Sequence, residues 1–400
     1  MISVNKAEEL ILQQISDFGV ERTDLQQSLG RVLAEPIAAD RDFPPFNRAT
    51  MDGIAIAYSR FAQGQKVFTI KNTLAAGQQP IDIDKPDQCI QIMTGAALPD
   101  SVDSVVPIEE LIIEDNLVTI TAPSLEKKQF VHPQGSDKRQ GEIVINPGTI
   151  ITSDSIPLLA SVGASKVTVR KLPKVAIITT GDELADIETD PSQFMIRRSN
   201  DLAMWSVLQT FSIQTERIHV ADKKEMIIKT IKKCLNKFDA ILISGGVSKG
   251  KFDFVQEALE ELAVIKIFHG IHQKPGKPMW FGVHPSGTRV FAFPGNPVST
   301  YVCLFRYFLP WLKASLQIKQ NKDIYAMLDQ DVKANSRVTQ FIPVMLYTTK
   351  KAQLRAKLLS HNGSGDFISL VSANAFVELP PQTSLFKKGE SHKVLLFKNI

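Results

Sequence analysis

The sequence predicts a multidomain α/β protein with additional all-β parts, arranged around a doubly wound sheet. From residue 174 onwards, short apolar runs alternate with amphipathic stretches, as strands and helices do in a mainly parallel sheet. Residues 46–137 contain short apolar runs separated by turn residues, which is typical of a β-rich domain. Residues 321–400 are again strand-like, which predicts a small C-terminal all-β domain.

The expected domain boundaries follow these changes of pattern. A discontinuous helical and extended linker domain takes residues 1–45 and 138–172. Between its two parts lies the β-rich second domain, residues 46–137. The doubly wound α/β domain covers residues 173–320, and a β-barrel-like domain covers residues 321–400.

Length and composition are those of a soluble globular protein. The chain has 400 residues, of which 44% are hydrophobic and 22% charged, so roughly two to four domains are expected. The net charge of +4 is too small to indicate nucleic-acid binding. The three cysteines lie far apart, which supports neither a zinc site nor a disulfide framework. No secretory pattern and no apolar stretch of about 20 residues is present, so we expect a cytoplasmic protein without membrane association.

The N-terminal region is expected to be helical. Apolar residues recur at helical spacing, and residues 4–36 are therefore predicted to form two helices, with Asn5 and Glu8 as a capping pair. Pro44 and Pro45 end this pattern because neither can continue a helix.

Apolar runs and their flanking residues locate the other elements. In the β-rich domain, strands are expected near residues 67–70, 89–93, 104–106 and 117–120. In the α/β domain, strands are expected at residues 175–180, 215–220 and 239–244, and helices at residues 200–210, 223–236, 255–262 and 298–312. Sheets of this class bind ligands at the carboxyl ends of their strands. The segments that follow the first and third of these strands are therefore the expected ligand-binding loops.

The most informative of these segments is the run from Ser244 to Asp253. It contains Gly245, Gly246 and two lysines, and it lies between a buried strand and an amphipathic helix. A glycine turn at a helix N-terminus offers backbone N–H groups and a positive dipole, which favour an anion. Asp253 ends the run where a metal carried by a phosphate could be held. A purely structural turn is the alternative.

Two further loops carry polar groups on stiff backbone. Lys274 and Lys277 lie in a Lys-Pro-Gly-Lys-Pro turn, where proline reduces the entropy lost when the ammonium groups meet an anion. Asn296 lies between Gly295 and Pro297 just before a helix, so it can cap that helix or contact a ligand. For the lysine turn, a solvated surface loop is the alternative.

Six motifs occur in a fixed order along the chain, and several of them contain the loops described above. They are residues 45–53 (PFNRATMDG), 93–96 (MTGA), 178–184 (ITTGDEL), 244–253 (SGGVSKGKFD), 274–278 (KPGKP) and 294–299 (PGNPVS). Their order resembles the MoeA / gephyrin E-domain family, the molybdopterin molybdenumtransferases. The resemblance covers nearly the whole chain, including residues 362–366 (NGSGD).

The resemblance implies a fold and a reaction. Members of this family are elongated homodimers of four-domain chains, and their doubly wound domain resembles the molybdopterin-binding domain of the adenylyltransferases that act on the same pterin. Molybdate is inserted into the dithiolene of adenylylated molybdopterin with a divalent cation, Mg²⁺, and AMP is released. The active site forms between this domain of one subunit and the second domain of the other. A molybdopterin adenylyltransferase is an implied partner.

The resemblance also implies roles for individual residues. The implied catalytic residues are Asp52, Thr94, Asp137, Glu183 and Asp253, of which Glu183 and Asp253 would hold Mg²⁺. The implied substrate-binding and anion-binding residues are Thr180, Gly181, Ser244, Gly245, Gly246, Ser248, Lys274, Lys277, Pro294, Asn296, Pro297 and Ser299.

The chain departs from the family pattern at three positions. His132 and Ser136 replace an arginine and a glutamate near Asp137, and Arg198 replaces an aspartate before Ser199. Because an acid is replaced by a base, Arg198 would change the charge of the pocket by two units if it lines the site. Two alternatives therefore remain beside the transferase: a diverged paralogue that carries molybdopterin without efficient turnover, and a molybdopterin adenylyltransferase.

Overall fold

The computed structural model describes residues 1–248, 254–319, 322–381 and 383–398. The chain divides into two compact units. The first comprises Met1–Ala34, Gly148–Thr152 and Val167–Ile400, and the second comprises Glu35–Pro147 and Ser153–Lys166. Within the described ranges, no helix combines the length and the apolar character needed to cross a membrane.

A six-stranded sheet forms the centre of the first unit in the described part of the chain. In chain order its strands are β1 (Val175–Thr180), β2 (Thr215–Val220), β3 (Ala240–Ser244), β4 (Ile265–His269), β5 (Trp280–Val283) and β6 (Arg289–Phe293). Across the sheet the order is β2-β1-β3-β6-β5-β4. Strands β1, β2, β3 and β6 are parallel, whereas β5 is antiparallel to both β4 and β6.

The register of the parallel strands brings the carboxyl ends of β1, β3 and β6 together. Thr179 pairs with Ser244, and Ser244 pairs with Phe293. The loops that follow β1, β3 and β6 therefore leave the same edge of the sheet. The chain reverses its direction across the sheet between β1 and β3, the position where ligands bind in open α/β sheets.

Helices cover both faces of this sheet, which confirms the predicted doubly wound α/β fold. On one face, Asn200–Gln209 and the helix that begins at Pro297 enclose a core containing Leu208 and Trp311. On the other face, Lys224–Leu235 and Val255–Glu261 enclose a core containing Ile231 and Leu259. Because both faces are covered, every residue of β1 and β3 is buried.

The helix after β6 contains an irregular turn. Its α-helical parts are Pro297–Cys303 and Leu309–Ser315, and a π-helical turn, Leu304–Phe308, joins them. The almost fully buried Arg306 in this turn pairs with Glu8 at 2.7 Å and with Glu378 at 3.1 Å. These contacts join the N-terminal helix and the C-terminal sheet to the α/β core.

The prediction of two N-terminal helices is wrong for the second one. A single α-helix, Val4–Leu12, is capped by the hydroxyl of Ser3, which accepts from the Lys6 N–H at 3.2 Å, and not by Asn5. Val20–Asp24 forms a strand, and this strand pairs with Lys166–Arg170. Pairing with a segment more than a hundred positions away outweighs local helical spacing.

The C-terminal part of the first unit is a closed, barrel-like sheet, as predicted. Its strands are Ile324–Leu328, Thr339–Thr348, Leu354–Leu358, Ala375–Leu379 and Ser391–Leu396. Thr339–Thr348 pairs with both Leu354–Leu358 and Ala375–Leu379, which closes the sheet on itself. The short strand Gln273–Lys274 joins this sheet parallel to Thr339 and Gln340. The short strands Val332–Lys333 and Leu385–Phe386 pair with each other, and Ser369–Ser372 is a single helical turn.

The second unit is β-rich. Its described residues include a six-stranded sheet, in the order Ser104–Pro107, Gly53–Ile56, Gln88–Ile92, Val67–Leu74, Leu117–Ile120 and Leu111–Glu114. Two short pairings accompany it: Arg48–Ala49 with Val131–His132, and Ile37–Ala38 with Ile143–Ile145. Its helices are Tyr58–Ala62 and Ser155–Ser161.

Candidate anion-binding site

The carboxyl edge of the α/β sheet borders a cavity of about 1120 Å³, and all its lining residues belong to the first unit. The lining includes the predicted residues Thr180, Gly181, Glu183, Ser244, Gly245, Gly246, Ser248, Lys274, Lys277, Pro294, Asn296, Pro297 and Ser299. Residues of the C-terminal sheet and its loops, among them Gln340 and His361, complete it. Loops spread over more than a hundred positions of the sequence are thus brought together at one site.

The turn after β3 requires both of its glycines. Gly245 and Gly246 have φ of 100° and 67°, a region that residues with a Cβ rarely adopt. A Cβ on Gly245 would lie 2.5 Å from the Thr180 carbonyl oxygen, and one on Gly246 would lie 2.6 Å from Cγ2 of Val255. The N–H of Gly245 donates to the Phe293 carbonyl at 3.2 Å, so this amide serves the sheet and is not free for an anion. Asp253 and the preceding residues 249–252 lie outside the described residues.

Asn200, which the sequence reasoning did not assign to the site, joins two of its loops. Its Nδ2 donates to Oγ of Ser244 at 2.8 Å and to the Gly295 carbonyl at 2.7 Å. Ser244 is almost fully buried, so the first of these bonds is shielded from water. A Ser-Asn pair at the start of a helix after the β1 loop was the available signal in the sequence.

The loops after β1 and β2 place the carboxylates of Glu183 and Asp222 beside the cavity. The Thr180 hydroxyl donates to Oδ1 of Asp222, and the Asp222 N–H donates to Oδ1 of Asp182 at 3.1 Å. The carboxylate of Glu183 lies against Gly181, where a Cβ would be 2.6 Å from Oε2. Gly181 therefore leaves the room that the Glu183 side chain occupies.

Lys274 and Lys277 supply positive charge at the cavity. Both side chains are exposed, and neither forms an ion pair with another described residue. Arg198 also lines the cavity, but its guanidinium is paired with Asp186. The backbone N–H of Glu188, together with the charge of Arg198, lowers the pKa of Asp186 below its usual range. Part of the positive charge that Arg198 brings is therefore offset locally.

Asn296 precedes the helix but does not cap it through its side chain. It occupies the N-cap position with extended backbone, φ −66° and ψ 128°, and Pro297 follows in the first turn. Its Nδ2 donates instead to Oγ of Ser364 at 2.9 Å, while the Val298 N–H donates to the Ser364 carbonyl at 3.1 Å. Of the two roles expected of Asn296, capping through the side chain is therefore absent from the described contacts, and Asn296 holds the loop of residues 362–366 against the helix.

Asp52 and Thr94 meet in the second unit. Oδ1 of Asp52 accepts from Oγ1 of Thr94 at 2.7 Å and from the Thr94 N–H at 2.6 Å. The hydroxyl, followed by the N–H, lowers the pKa of Asp52 below its ordinary value. Asp52 is thus held as a carboxylate by two hydrogen bonds.

Asp137, the third predicted residue of the second unit, is bonded to His132. His132 Nε2 lies 2.8 Å from Oδ1 of Asp137, and its Nδ1 lies 3.1 Å from Nη2 of Arg48. The pairing of Ala49 with Val131 and the hydrogen bond from Gly95 to the Ala49 carbonyl, 2.9 Å, connect the segments that carry Asp52, Thr94 and Asp137. Two of the six sequence motifs and the segment that carries Asp137 therefore share one region of the second unit.

No described set of three His, Cys, Asp or Glu side chains could hold a metal by itself. Mg²⁺, however, is usually bound by one or two carboxylates together with substrate phosphates and water. Glu183, a single carboxylate that lines the same cavity as Lys274 and Lys277, fits that pattern.

Comparison with known proteins agrees with this architecture. The matching family descriptions are "MoeA N-terminal region (domain I and II)" over residues 2–163, "Probable molybdopterin binding domain" over residues 176–314 and "MoeA C-terminal region (domain IV)" over residues 325–397. The molybdopterin molybdenumtransferase of Synechocystis sp. is 41% identical over 98% of both chains. Gephyrin from Dictyostelium discoideum is 31% identical over 99% of this chain and 62% of its own length.

Solved structures show the same fold. A molybdopterin biosynthesis MoeA protein from Pyrococcus horikoshii aligns with a TM-score of 0.85 and 26% identity, covering 99% of this chain and 100% of that one. The full-length similarity in sequence and structure identifies the chain as a member of the MoeA family, whose relatives include the molybdopterin molybdenumtransferases.

Proposed function

We propose that this chain is a molybdopterin molybdenumtransferase of molybdenum cofactor biosynthesis, which inserts molybdate into adenylylated molybdopterin and releases AMP. The observation that carries the proposal is the cavity at the sheet edge, which is lined by the exposed Lys274 and Lys277 together with hydroxyl groups and backbone turns. At about 1120 Å³ the cavity exceeds the usual range for a small ligand, as a pterin joined to a nucleotide requires.

The residues of the cavity suit a ligand with several negative charges. Lys274 and Lys277 would offset the charge of the phosphates and of molybdate, because neither ammonium is neutralised by another described side chain. Ser244 and Ser299 would donate hydrogen bonds from their buried hydroxyls. The Thr180 hydroxyl, whose proton is donated to Asp222, would accept a hydrogen bond from the ligand. The glycine turn after β3 carries no side chain at two positions, which would let the ligand approach the backbone closely.

Mg²⁺ would be held by Glu183 and Asp253 together with the phosphates of the substrate. The ion would neutralise charge that develops when the phosphoanhydride is cleaved. Asp52 and Asp137 would orient substrate or water in the same reaction, with Thr94 fixing the Asp52 carboxylate. The protein would work in the cytoplasm as a homodimer and receive its substrate from a molybdopterin adenylyltransferase.

Release of AMP tests the proposal. Purified protein would be mixed with adenylylated molybdopterin, Mg²⁺ and molybdate, and AMP followed with time. Molybdate-stimulated release, abolished in Asp253→Asn, is the expected result. Tight binding without release would favour a molybdopterin carrier, and turnover that requires ATP and molybdopterin would favour an adenylyltransferase.

A second experiment tests the homodimer. Asp52→Asn and Lys274→Ala variants, each inactive alone, would be mixed under conditions that allow subunits to exchange. Recovered activity would mean that Asp52 and Lys274 of different copies serve one reaction. If the mixture remains inactive and the protein has the mass of a monomer in solution, the dimeric assembly would be contradicted.

A further inference from the structure

The loop that carries Lys274 and Lys277 rests on a buried polar network. Gln273 is only 1% exposed, and its Nε2 donates to the carbonyl of Pro275 at 2.9 Å. Its Oε1 accepts from the hydroxyl of Tyr307, which is fully buried in the long helix. The amide of Gln273 therefore connects the helix to the middle of the lysine loop.

Cys303 and Gly276 complete this contact. The Cys303 thiol donates to the Gly276 carbonyl at 3.8 Å, and Gln273 Nε2 lies 3.8 Å from its sulfur. Gly276 has φ of 92°, and a Cβ there would lie 2.5 Å from Gln273 Nε2 and 2.8 Å from Cys303 Sγ. The loop thus sits directly on these two side chains, and no residue larger than glycine fits between them.

The protonation states of Tyr307 and Cys303 determine which groups donate and which accept in this hydrogen-bond network. Burial raises the pKa of Tyr307 well above its usual value, and burial also raises the pKa of the Cys303 thiol. Both groups consequently remain donors at neutral pH. With Tyr307 donating to Oε1, the NH₂ group of Gln273 must face the Pro275 carbonyl, because the opposite orientation would place two acceptors together.

The π-helical turn Leu304–Phe308 carries Tyr307. Such turns inside α-helices occur frequently at functional sites. In the same turn, Arg306 is fixed by Glu8 and Glu378. The backbone that presents the Tyr307 hydroxyl is therefore held from two sides, although the lysines themselves are exposed.

We propose that Gln273 and Tyr307 are positioning residues that hold Lys274 and Lys277 in place as a preorganised receptor for the oxyanions of the substrate. The inference rests on the proposed function, in which these lysines bind anions. A loop that is already ordered loses less entropy on binding, so fixing its backbone increases affinity without any new contact to the ligand. Neither Gln273 nor Tyr307 needs to touch the ligand for this effect.

The first test examines the loop itself and does not depend on catalysis. Tyr307→Phe removes one hydroxyl and leaves Oε1 of Gln273 unpaired in a buried position. Amide hydrogen exchange at Met279, whose N–H donates to the Gly276 carbonyl at 3.3 Å, is expected to be faster by about tenfold or more in this variant. Tyr301→Phe is the matched control, because Tyr301 lies on the same helix and its hydroxyl forms no hydrogen bond with another described residue. Equal exchange in the two variants would overturn the proposal.

The second test asks whether the effect passes through the lysines. Tyr307→Phe should raise the apparent KM for adenylylated molybdopterin by about fivefold, whereas in a Lys277→Ala background it should change it much less. Fully additive effects would mean that Tyr307 acts through general stability, and the positioning role would be rejected. Absence of AMP release by the wild-type protein would contradict the proposed function alone, since the exchange experiment still reports on the loop.

Discussion

Nη2 of Arg48 lies 3.1 Å from Nδ1 of His132. A guanidinium carries donors only, so Nδ1 must accept this hydrogen bond and cannot hold a proton. The proton of the neutral ring is therefore on Nε2, which donates to Oδ1 of Asp137 at 2.8 Å. Arg48, His132 and Asp137 form a chain of hydrogen bonds that exists in one tautomer of His132.

Replacing His132 tests this chain of hydrogen bonds. His132→Ala should reduce kcat by about tenfold, because the Asp137 carboxylate loses the donor that orients it. His132→Gln should retain most activity, since its amide offers an acceptor to Arg48 and a donor to Asp137. Steady-state AMP release measures both variants. Equal losses in the two would show that only the shape of the imidazole ring matters.

The contact between Asp52 and Thr94 predicts a pH-dependent stability. Because hydrogen bonds from Thr94 hold the pKa of Asp52 below its unfolded value, the contact stabilises the fold above an unfolded pKa of about 3.9. The contribution is lost as the pH falls through the lowered folded pKa.

Thr94→Val should therefore unfold at lower urea concentration than the wild type near neutral pH, and the difference should shrink in acid. Thr94→Ser retains the hydroxyl and should behave like the wild type. Urea titrations at several pH values measure the effect. A difference that stays constant with pH would assign it to packing and not to the hydrogen bonds of Asp52.

Because Arg198 lines the cavity, we expect its replacement to weaken substrate binding in a salt-dependent way. Arg198→Ala removes a positive charge from the cavity, but Asp186 already offsets part of it, so KM should rise by only about threefold to fivefold at low ionic strength. The increase should diminish when salt is added. Lys229→Ala is the control, because Lys229 is an exposed lysine that does not line the cavity. The same change in both variants would remove any special role of Arg198.

The sequence was sufficient to predict those parts of the fold that depend on local pattern. The apolar runs at residues 175–180, 215–220 and 240–244 became neighbouring strands, and the loops after β1 and β3 meet at one edge because parallel strands end together. Gly245, Gly246, Pro275 and Gly276 also identified turns, because the backbone preferences of glycine and proline are intrinsic to the residue.

Tertiary contacts determined what the sequence could not reveal. Residues 20–24 form a strand only because residues 166–170 pair with them. Gln273 and Tyr307 are 34 positions apart, and nothing local indicates that their side chains meet. Asn200 joins Ser244 to Gly295 across three loops, a relation that exists only after the sheet has formed. Sequence patterns thus miss those residues whose role is to hold other site residues in position.

Gly245 and Gly295, two neighbouring glycines that line the cavity, should respond differently to substitution. In Gly245→Ala the new methyl group would lie 2.5 Å from the Thr180 carbonyl oxygen, and the residue would have to keep φ near 100°. This strain should cost about 1–3 kcal/mol of stability. In Gly295→Ala the nearest atom is Cα of Gly245 at 3.7 Å, an ordinary contact, so thermal stability should remain close to that of the wild type. Differential scanning calorimetry compares the two variants. Equal melting temperatures would mean that the β3 turn can relax away from Thr180, and the close approach of these two loops would then not be needed for the fold.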